Sequence, residues 1–257
     1  MDIKILIAAH KQYRMPSDDM YMPVHVGKFF SDNNFGYTGD NTGDNISDKN
    51  KNFCELTAIY WGWKNLQAEY VGLAHYRRHF SIKKKKDTWQ GVLTKEQLEP
   101  LLKKCPVIVP KKRNYVIETV YSHYTHTHDA AHIEETKKII AEHCNEYSIA
   151  FEKVLSRRSA HMFNMMIMRR DYFDSYCQWL FDILFELEKR IDVSALDAFN
   201  ARLFGRISEF LLDTWIEKNG ISYKEIGYIH MEKIDWPRKI RSFLGAKFFS
   251  KKYDKSF

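Results

Sequence analysis

The strongest constraint on the fold is a set of short apolar runs that each end in polar residues. Ile3 to Ala9 is such a run, and it stops at His10. Tyr70 to Ala74 repeats the pattern and delivers His75, Tyr76, Arg77 and Arg78. Runs of this length without polar alternation are those of strands buried on both faces, as in a parallel sheet. In open α/β sheets, ligands bind beyond the carboxyl ends of such strands. His10 and the His75–Arg78 cluster are therefore candidate site residues.

The segments between the runs carry helical spacing. Asn52 with Glu55 has the form of a capping box, followed by Phe53, Leu56, Ile59, Tyr60, Trp63 and Leu66 on one face. Thr94 to Lys104 reads as a short helix, Val107 to Val109 as a third strand, and Lys83 to Lys86 as an exposed charged loop. Ile133 to Glu142 is helical in pattern, and Met162 to Met168 is a strand around Asn164. Asp171 is placed to cap a helix reaching about Arg190. A last helix from about Ala195 to Lys218 closes on Asn219 and Gly220, and Ile221 to Ile229 forms a final strand. Strands alternating with helices predict an α/β domain with a mainly parallel central sheet flanked by helices, more helical in its second half. No linker interrupts residues 1 to 230, so these form one domain, with residues 231 to 257 as a basic tail.

With 257 residues and 44% hydrophobic content, the chain can bury a substantial core. The four cysteines are widely spaced without a CxxC pair, which favours reduced thiols in a cytoplasm. No segment reaches the roughly 18 apolar residues that span a bilayer. The formal net charge is +7. From Trp236 onward, seven basic residues (Arg238, Lys239, Arg241, Lys247, Lys251, Lys252 and Lys255) face one acid, Asp254, so the tail carries 7 − 1 = +6 of it. Ile240, Phe243, Leu244, Phe248 and Phe249 interleave those charges, as in a helix lying on an anionic membrane surface. This predicts a cytoplasmic protein held peripherally at the inner face of the membrane. A nucleic-acid-binding protein is the rival that the charge and aromatics admit. The confinement of charge to the tail and the lack of a nucleic-acid motif argue against it.

The block GDNTGDNISDKNKNFCELTAIYWGWKN (Gly39 to Asn65), followed by YVGLAHYRRHF (Tyr70 to Phe80), resembles the bacterial capsular polysaccharide and exopolysaccharide synthesis glycosyltransferases, a family long catalogued as a domain of unknown function. HVGKFF from His25, FNMMIMRRDYFDSYCQWLFDILFELEKR from Phe163 and GRISEFLLDTW from Gly205 extend the resemblance over roughly residues 1 to 230. The resemblance implies a GT-A-like fold and transfer of a sugar from a uridine diphosphate donor, galactofuranose among the candidates. The acceptor would be a glycan or a lipid-linked precursor in capsule, exopolysaccharide or O-antigen synthesis. A scaffold of polysaccharide assembly without catalysis is the alternative.

Transfer from a nucleoside diphosphate needs charge stabilisation on the leaving group, by a divalent metal on carboxylates or by fixed cations. In the GT-A arrangement an Asp-x-Asp metal motif ends the corresponding strand, whereas VGLAHYRR offers His75, Arg77 and Arg78. Guanidinium groups bind phosphate bidentately, so the expectation is transfer without a metal cofactor, with Mg or Mn the alternative. Asp40, Asp44 and Asn45, in a Gly-rich loop, are candidate nucleotide contacts, or a self-satisfied turn cluster. Arg202, Arg206, Glu209 and Asp213 recur at spacings of four, three and four and share one helical stripe. Glu209 is the first candidate for general base with Arg206 as phosphate ligand, surface ion pairing being the alternative. Asp129 is the second candidate base. Tyr124, His126 and His128 are candidates for an acceptor-sugar platform. His128 and His132 lack the Glu of an HExxH zinc motif. Asn164, in a buried strand, is expected to hydrogen-bond the donor sugar.

Overall fold

The computed structural model describes residues 1–83 and 88–232. The basic tail from Trp236 and most of the Lys83–Lys86 run lie outside the described residues. In chain order the elements are β1 (Ile3–Ala9), β2 (Tyr21–His25), β3 (Thr38–Gly39), α1 (Asn50–Phe53), α2 (Leu56–Asn65), β4 (Tyr70–His75), β5 (Arg78–Ser81), α3 (Lys95–Leu102) and β6 (Val107–Pro110). There follow β7 (Arg113–Asn114), α4 (Val120–Thr125), α5 (Ala131–His143), α6 (Ser148–Ser156), β8 (Ser159–Ala160), β9 (Met166–Arg169), α7 (Arg170–Arg190), α8 (Leu203–Lys218) and β10 (Lys224–His230).

The central sheet is mixed, which corrects the expectation of a mainly parallel one. β3, β2, β1 and β4 lie side by side in parallel. Beyond β4 the sheet forks. Residues Tyr70–Leu73 pair antiparallel with β9, while His75 pairs with Arg78 of β5. β9 leads to β6, β6 pairs parallel with β10, and β10 pairs antiparallel with β5, which closes the loop of strands back to β4. The fork needs no side chain at Gly72, where a Cβ would stand 2.8 Å from the carbonyl oxygen of Met166.

Alternation along each strand divides the core in two. Leu6, Ala8, Val71, Leu73, Val107, Val109, Met166 and Met168 face one layer, filled from α2 and α5–α8 by residues such as Ile59, Phe181 and Leu211. Ile5, Ile7, Tyr70, Ala74, Ile108 and Ile167 face the other, covered by α3 through Leu98 and Leu102. A sheet buried on both faces explains why its strands read as apolar runs.

Several boundaries differ from the sequence expectation for local reasons. Asn52 does not cap a helix: the chain breaks at Cys54 (φ 55°, ψ −128°), and the Asn52 side chain donates to the carbonyl of Ala201 instead. Cys54 and Glu55 (φ −63°, ψ −15°) take the central dihedrals of a type II′ turn. Asp171 lies inside the first turn of α7 and pairs with Arg169, which occupies the cap position. α8 starts at Leu203, because Asp197 binds the N–H groups of Phe199 and Asn200 and holds that stretch in short turns. Its end agrees with expectation: Gly220 has φ +58°, and the N–H groups of Gly220 and Ile221 close on Glu217 and Ile216 in a Schellman arrangement. The Met162–Met168 strand is shortened to β9, since Phe163 and Asn164 are left-handed (φ 74° and 54°).

Candidate active site

The carboxyl ends of β1, β4, β6 and β10 and the start of β5 share one edge of the sheet. His10 is exposed there, edge-on to the Tyr76 ring at 5.2 Å. Partial burial, then Arg77, Lys11 and Arg202, lower its pKa. The three residues after β4's apolar core diverge. His75 places Nε2 2.6 Å from the carbonyl of Phe163. A carbonyl only accepts, so Nε2 carries the proton and Nδ1 keeps its lone pair. Burial lowers the pKa of His75, opposed by Glu55. Arg77 lies over the Tyr76 ring at 5.2 Å with Glu232 3.6 Å from Nη1. Arg78 lies over the Phe163 ring at 4.3 Å, its pKa lowered by burial and by Arg77.

The opposite wall is α8, whose polar stripe points inward, onto residues 161–164, and does not serve surface ion pairing. Asp213 is buried and accepts from the backbone N–H of His161 at 3.0 Å and from its ring Nδ1. Glu209 accepts from the N–H of Phe163 at 2.8 Å. Asn164 is buried; its Nδ2 donates to Gly205 O and Glu55 Oε1, both at 2.9 Å, and its Oδ1 accepts from Ser208 at 2.8 Å. With those partners Asn164 ties helices together, and the expectation that it binds donor sugar is corrected. The left-handed backbone of Cys54 and Phe163 costs on the order of 1–3 kcal/mol each, and both flank this network.

Glu209 is the most perturbed acid of the cluster. Burial, then the neighbouring Glu55, raises its carboxyl to about 7, against the Phe163 N–H, Arg113 and Arg78, which favour the anion. Around Glu55 and Glu209 stand Arg78, Arg202 and Arg206. Arg202 donates from Nε to Cys54 Sγ at 3.2 Å, and Arg206 lies over the Phe199 ring at 4.3 Å. Nε of Arg77 and Nη2 of Arg206 are buried and meet no hydrogen-bond acceptor among the described residues. Such an orphaned cationic donor is costly unless an anion meets it.

The Gly-rich loop is anchored against the start of α2. Asp40 is fully buried, and its oxygens take the N–H groups of Gly27 (2.8 Å) and Lys28 (3.1 Å) and the hydroxyls of Ser47 and Thr57 (2.6 Å for Thr57). It is a loop anchor, not a nucleotide ligand. Asp44 accepts from Tyr60 at 3.1 Å, and Asn65 bonds both its N–H and its carbonyl. Asn45 bridges Gly43 O and Ser47 N. Glu55, beside the start of α2, reaches the site, so Asn65, ten residues on, lies about 15 Å down the helix. Asp44 therefore sits at the far end of α2 from Glu55, while Asn45 leads back through Ser47 to Asp40.

The aromatic segment is also spent on structure. Tyr124 is buried with its hydroxyl 2.9 Å from His132 Nδ1, so it offers no sugar-stacking face. His128 packs on Phe199 and meets Asn200 at 3.2 Å, burial pushing its pKa down to about 3. His126 is exposed, with Nδ1 2.7 Å from Glu118, a buried acid that also meets His123 at 2.8 Å. Asp129 is exposed, accepts the N–H of Ala131 at 2.9 Å at the start of α5 and does not join the Glu209 network. Among the described residues no group of three or more His, Cys, Asp or Glu is placed to hold a metal. The end of β4 presents cations where Mg or Mn requires oxygen ligands. Glu55 and Arg113 were the site residues least visible in the sequence: Glu55 resembled a capping acid, and no spacing connects Arg113 to Glu209.

The fold is similar to that in the solved apo structure of WbbM, a bifunctional glycosyltransferase, with a TM-score of 0.83 at 32% sequence identity over 91% of this chain. This chain spans 46% of that one's length. The chain belongs to the family described as Domain of unknown function (DUF4422), whose profile matches residues 4–220. No curated protein matches it. Among the described residues no helix is long and apolar enough to cross a membrane.

Proposed function

We propose that the chain is a nucleotide-sugar-dependent glycosyltransferase of bacterial surface-polysaccharide synthesis, using a uridine diphosphate sugar, galactofuranose among the candidates, and a glycan or lipid-linked acceptor. The observation that carries this reading is Glu209: a carboxyl raised to about 7, fixed by the Phe163 N–H and facing Arg78. A base titrating near neutrality combines adequate ionisation with adequate basicity.

In the proposed inverting step the acceptor hydroxyl gives its proton to Glu209 as its oxygen bonds the anomeric carbon. The bond from that carbon to the diphosphate oxygen breaks, and the diphosphate leaves with both electrons. Arg77, Arg78 and Arg206 stabilise its charge, without a divalent metal. His75, with Nδ1 free to accept, orients a donor hydroxyl. Association with the inner face of the membrane through the basic tail belongs to the same proposal, and that tail lies outside the described residues.

A thermal-shift screen of nucleotide sugars with and without divalent metal, followed by a transfer assay in excess chelator, tests it. Stabilisation by a uridine diphosphate sugar and undiminished turnover in chelator support the reading; strict dependence on manganese or magnesium overturns the arginine role. Donor binding without transfer to any acceptor would assign the chain to assembly scaffolding. Salt-dependent RNA binding without donor binding would assign it to the nucleic-acid class.

A further inference from the structure

Among the described residues, four non-glycine residues have left-handed backbones, Cys54, Val116, Phe163 and Asn164, and three of them converge on Glu55 and Glu209. Cys54 precedes Glu55 directly, and Phe163 and Asn164 form one turn that holds both acids. The N–H of Phe163 fixes Glu209 at 2.8 Å, and the side-chain amide of Asn164 fixes Glu55 at 2.9 Å. Asn164 also holds Gly205 O, one helical turn before Glu209, at 2.9 Å. The carbonyl of the same Phe163 receives His75. Two acids from distant parts of the chain are thus clamped by consecutive residues of one strained turn. A clamp of that kind on a like-charged pair has no packing purpose, because like charges brought together oppose folding.

We propose that Glu55 is a positioning residue for Glu209: gripped by the same turn, its negative charge makes Glu209 the stronger base and so sets its readiness to take the acceptor proton. The inference rests on the glycosyltransferase reading for its purpose but not for its measurement. The groups that face Glu209 are Glu55 before α2, Arg78 of β5 and Arg113 of β7, with Arg202 and Arg206 interacting from the start of α8. Among these groups Glu55 is the acid, so the others pull Glu209 in the opposite direction. Tyr115, next to Arg113, also feels the charge of Glu209.

The test is carbon-13 NMR titration of the glutamate side-chain carboxyls, with the Glu209 signal assigned by its loss in E209Q. In the wild-type chain the Glu209 signal is expected to titrate near pH 7. In E55Q, which keeps an oxygen to accept from Asn164, the Glu209 midpoint is expected to fall by about one pH unit. The acid limb of the kcat profile should move by the same amount, with kcat on the plateau about threefold lower for the weaker base. An E55Q midpoint equal to wild type overturns the pairing. The NMR readout does not depend on finding a donor. A chain whose Glu209 midpoint falls in E55Q yet transfers no sugar keeps the pair and loses the glycosyltransferase reading.

Discussion

The backbone N–H of Phe163 donates to Oε1 of Glu209 at 2.8 Å, while the carbonyl of the same residue accepts from His75 Nε2 at 2.6 Å. The backbone of one residue thereby fixes an acid from α8 and an imidazole from the end of β4, and burial leaves the acid with a carboxyl at about 7. The site is therefore assembled by a turn between β8 and β9, not by the Gly-rich loop.

Replacing Glu209 with Gln should reduce transfer at least about 100-fold while leaving thermal stabilisation by donor intact, because the amide oxygen still accepts from Phe163 but takes no proton. The same substitution has a stability signature. Glu209 titrates near 4.5 when unfolded and about 7 when folded, so its protonated form favours the native state. That contribution is full below pH 4.5 and is lost as pH rises through 7, on the order of 3 kcal/mol in total. E209Q should match wild-type stability at pH 4.5 and exceed it at pH 8 in denaturant titrations.

Arg78 sits at the start of β5 with its guanidinium over Phe163. If that guanidinium carries leaving-group charge, R78K should keep the positive charge yet lose the bidentate fork, and turnover should fall roughly 100-fold. Donor affinity in the thermal-shift assay should change less than kcat. Weakened donor affinity with unchanged kcat would mean that Arg78 contributes uniform binding instead of transition-state stabilisation.

Asp40 separates a structural from a functional acid. In D40A the N–H groups of Gly27 and Lys28 and the hydroxyls of Ser47 and Thr57 lose their buried acceptor. A cost of roughly 3–5 kcal/mol follows, seen as a lowered midpoint in thermal unfolding. The folded fraction should retain wild-type KM for donor, in contrast to Arg78. For D44A, at the far end of α2, neither KM nor kcat should move.

Much of the fold was legible in the sequence because the sheet is buried on both faces: β1, β4 and β6 stand out as apolar runs with no need of alternation. Glu209 was legible through its spacing on α8. Its elevated carboxyl was not, because that depends on Glu55 and on residues 161–164, which only the folded chain brings near. The break at Cys54 gave no signal, since cysteine has no preference for the glycine position of a type II′ turn; tertiary contacts with Arg202 and Gly205 impose it. Asp40 misled for the opposite reason. Its neighbours are turn formers that look exposed, yet the carboxylate is turned inward to satisfy four donors. The antiparallel course of β9 was equally hidden, since an apolar run does not report its direction.

Gly72 connects the sheet's fork to the chemistry, and its replacement gives the most direct test of that connection. It pairs with Ile5 of β1 on one side and Ile167 of β9 on the other. A Cβ there would stand 2.8 Å from Met166 O and 2.9 Å from Ile167 Cγ1, and the first of these is backbone that cannot swing away. G72A must push β9 from β4, at a cost of about 1–3 kcal/mol from overpacking. β9 begins two residues after Asn164, so the displacement should reach the Phe163–Asn164 turn and loosen its hold on Glu209 and His75. The expected result is a lowered unfolding midpoint together with a loss of kcat larger than the unfolded fraction explains. A variant destabilised by that amount but with wild-type kcat per folded molecule would show that the turn is held by α8 alone.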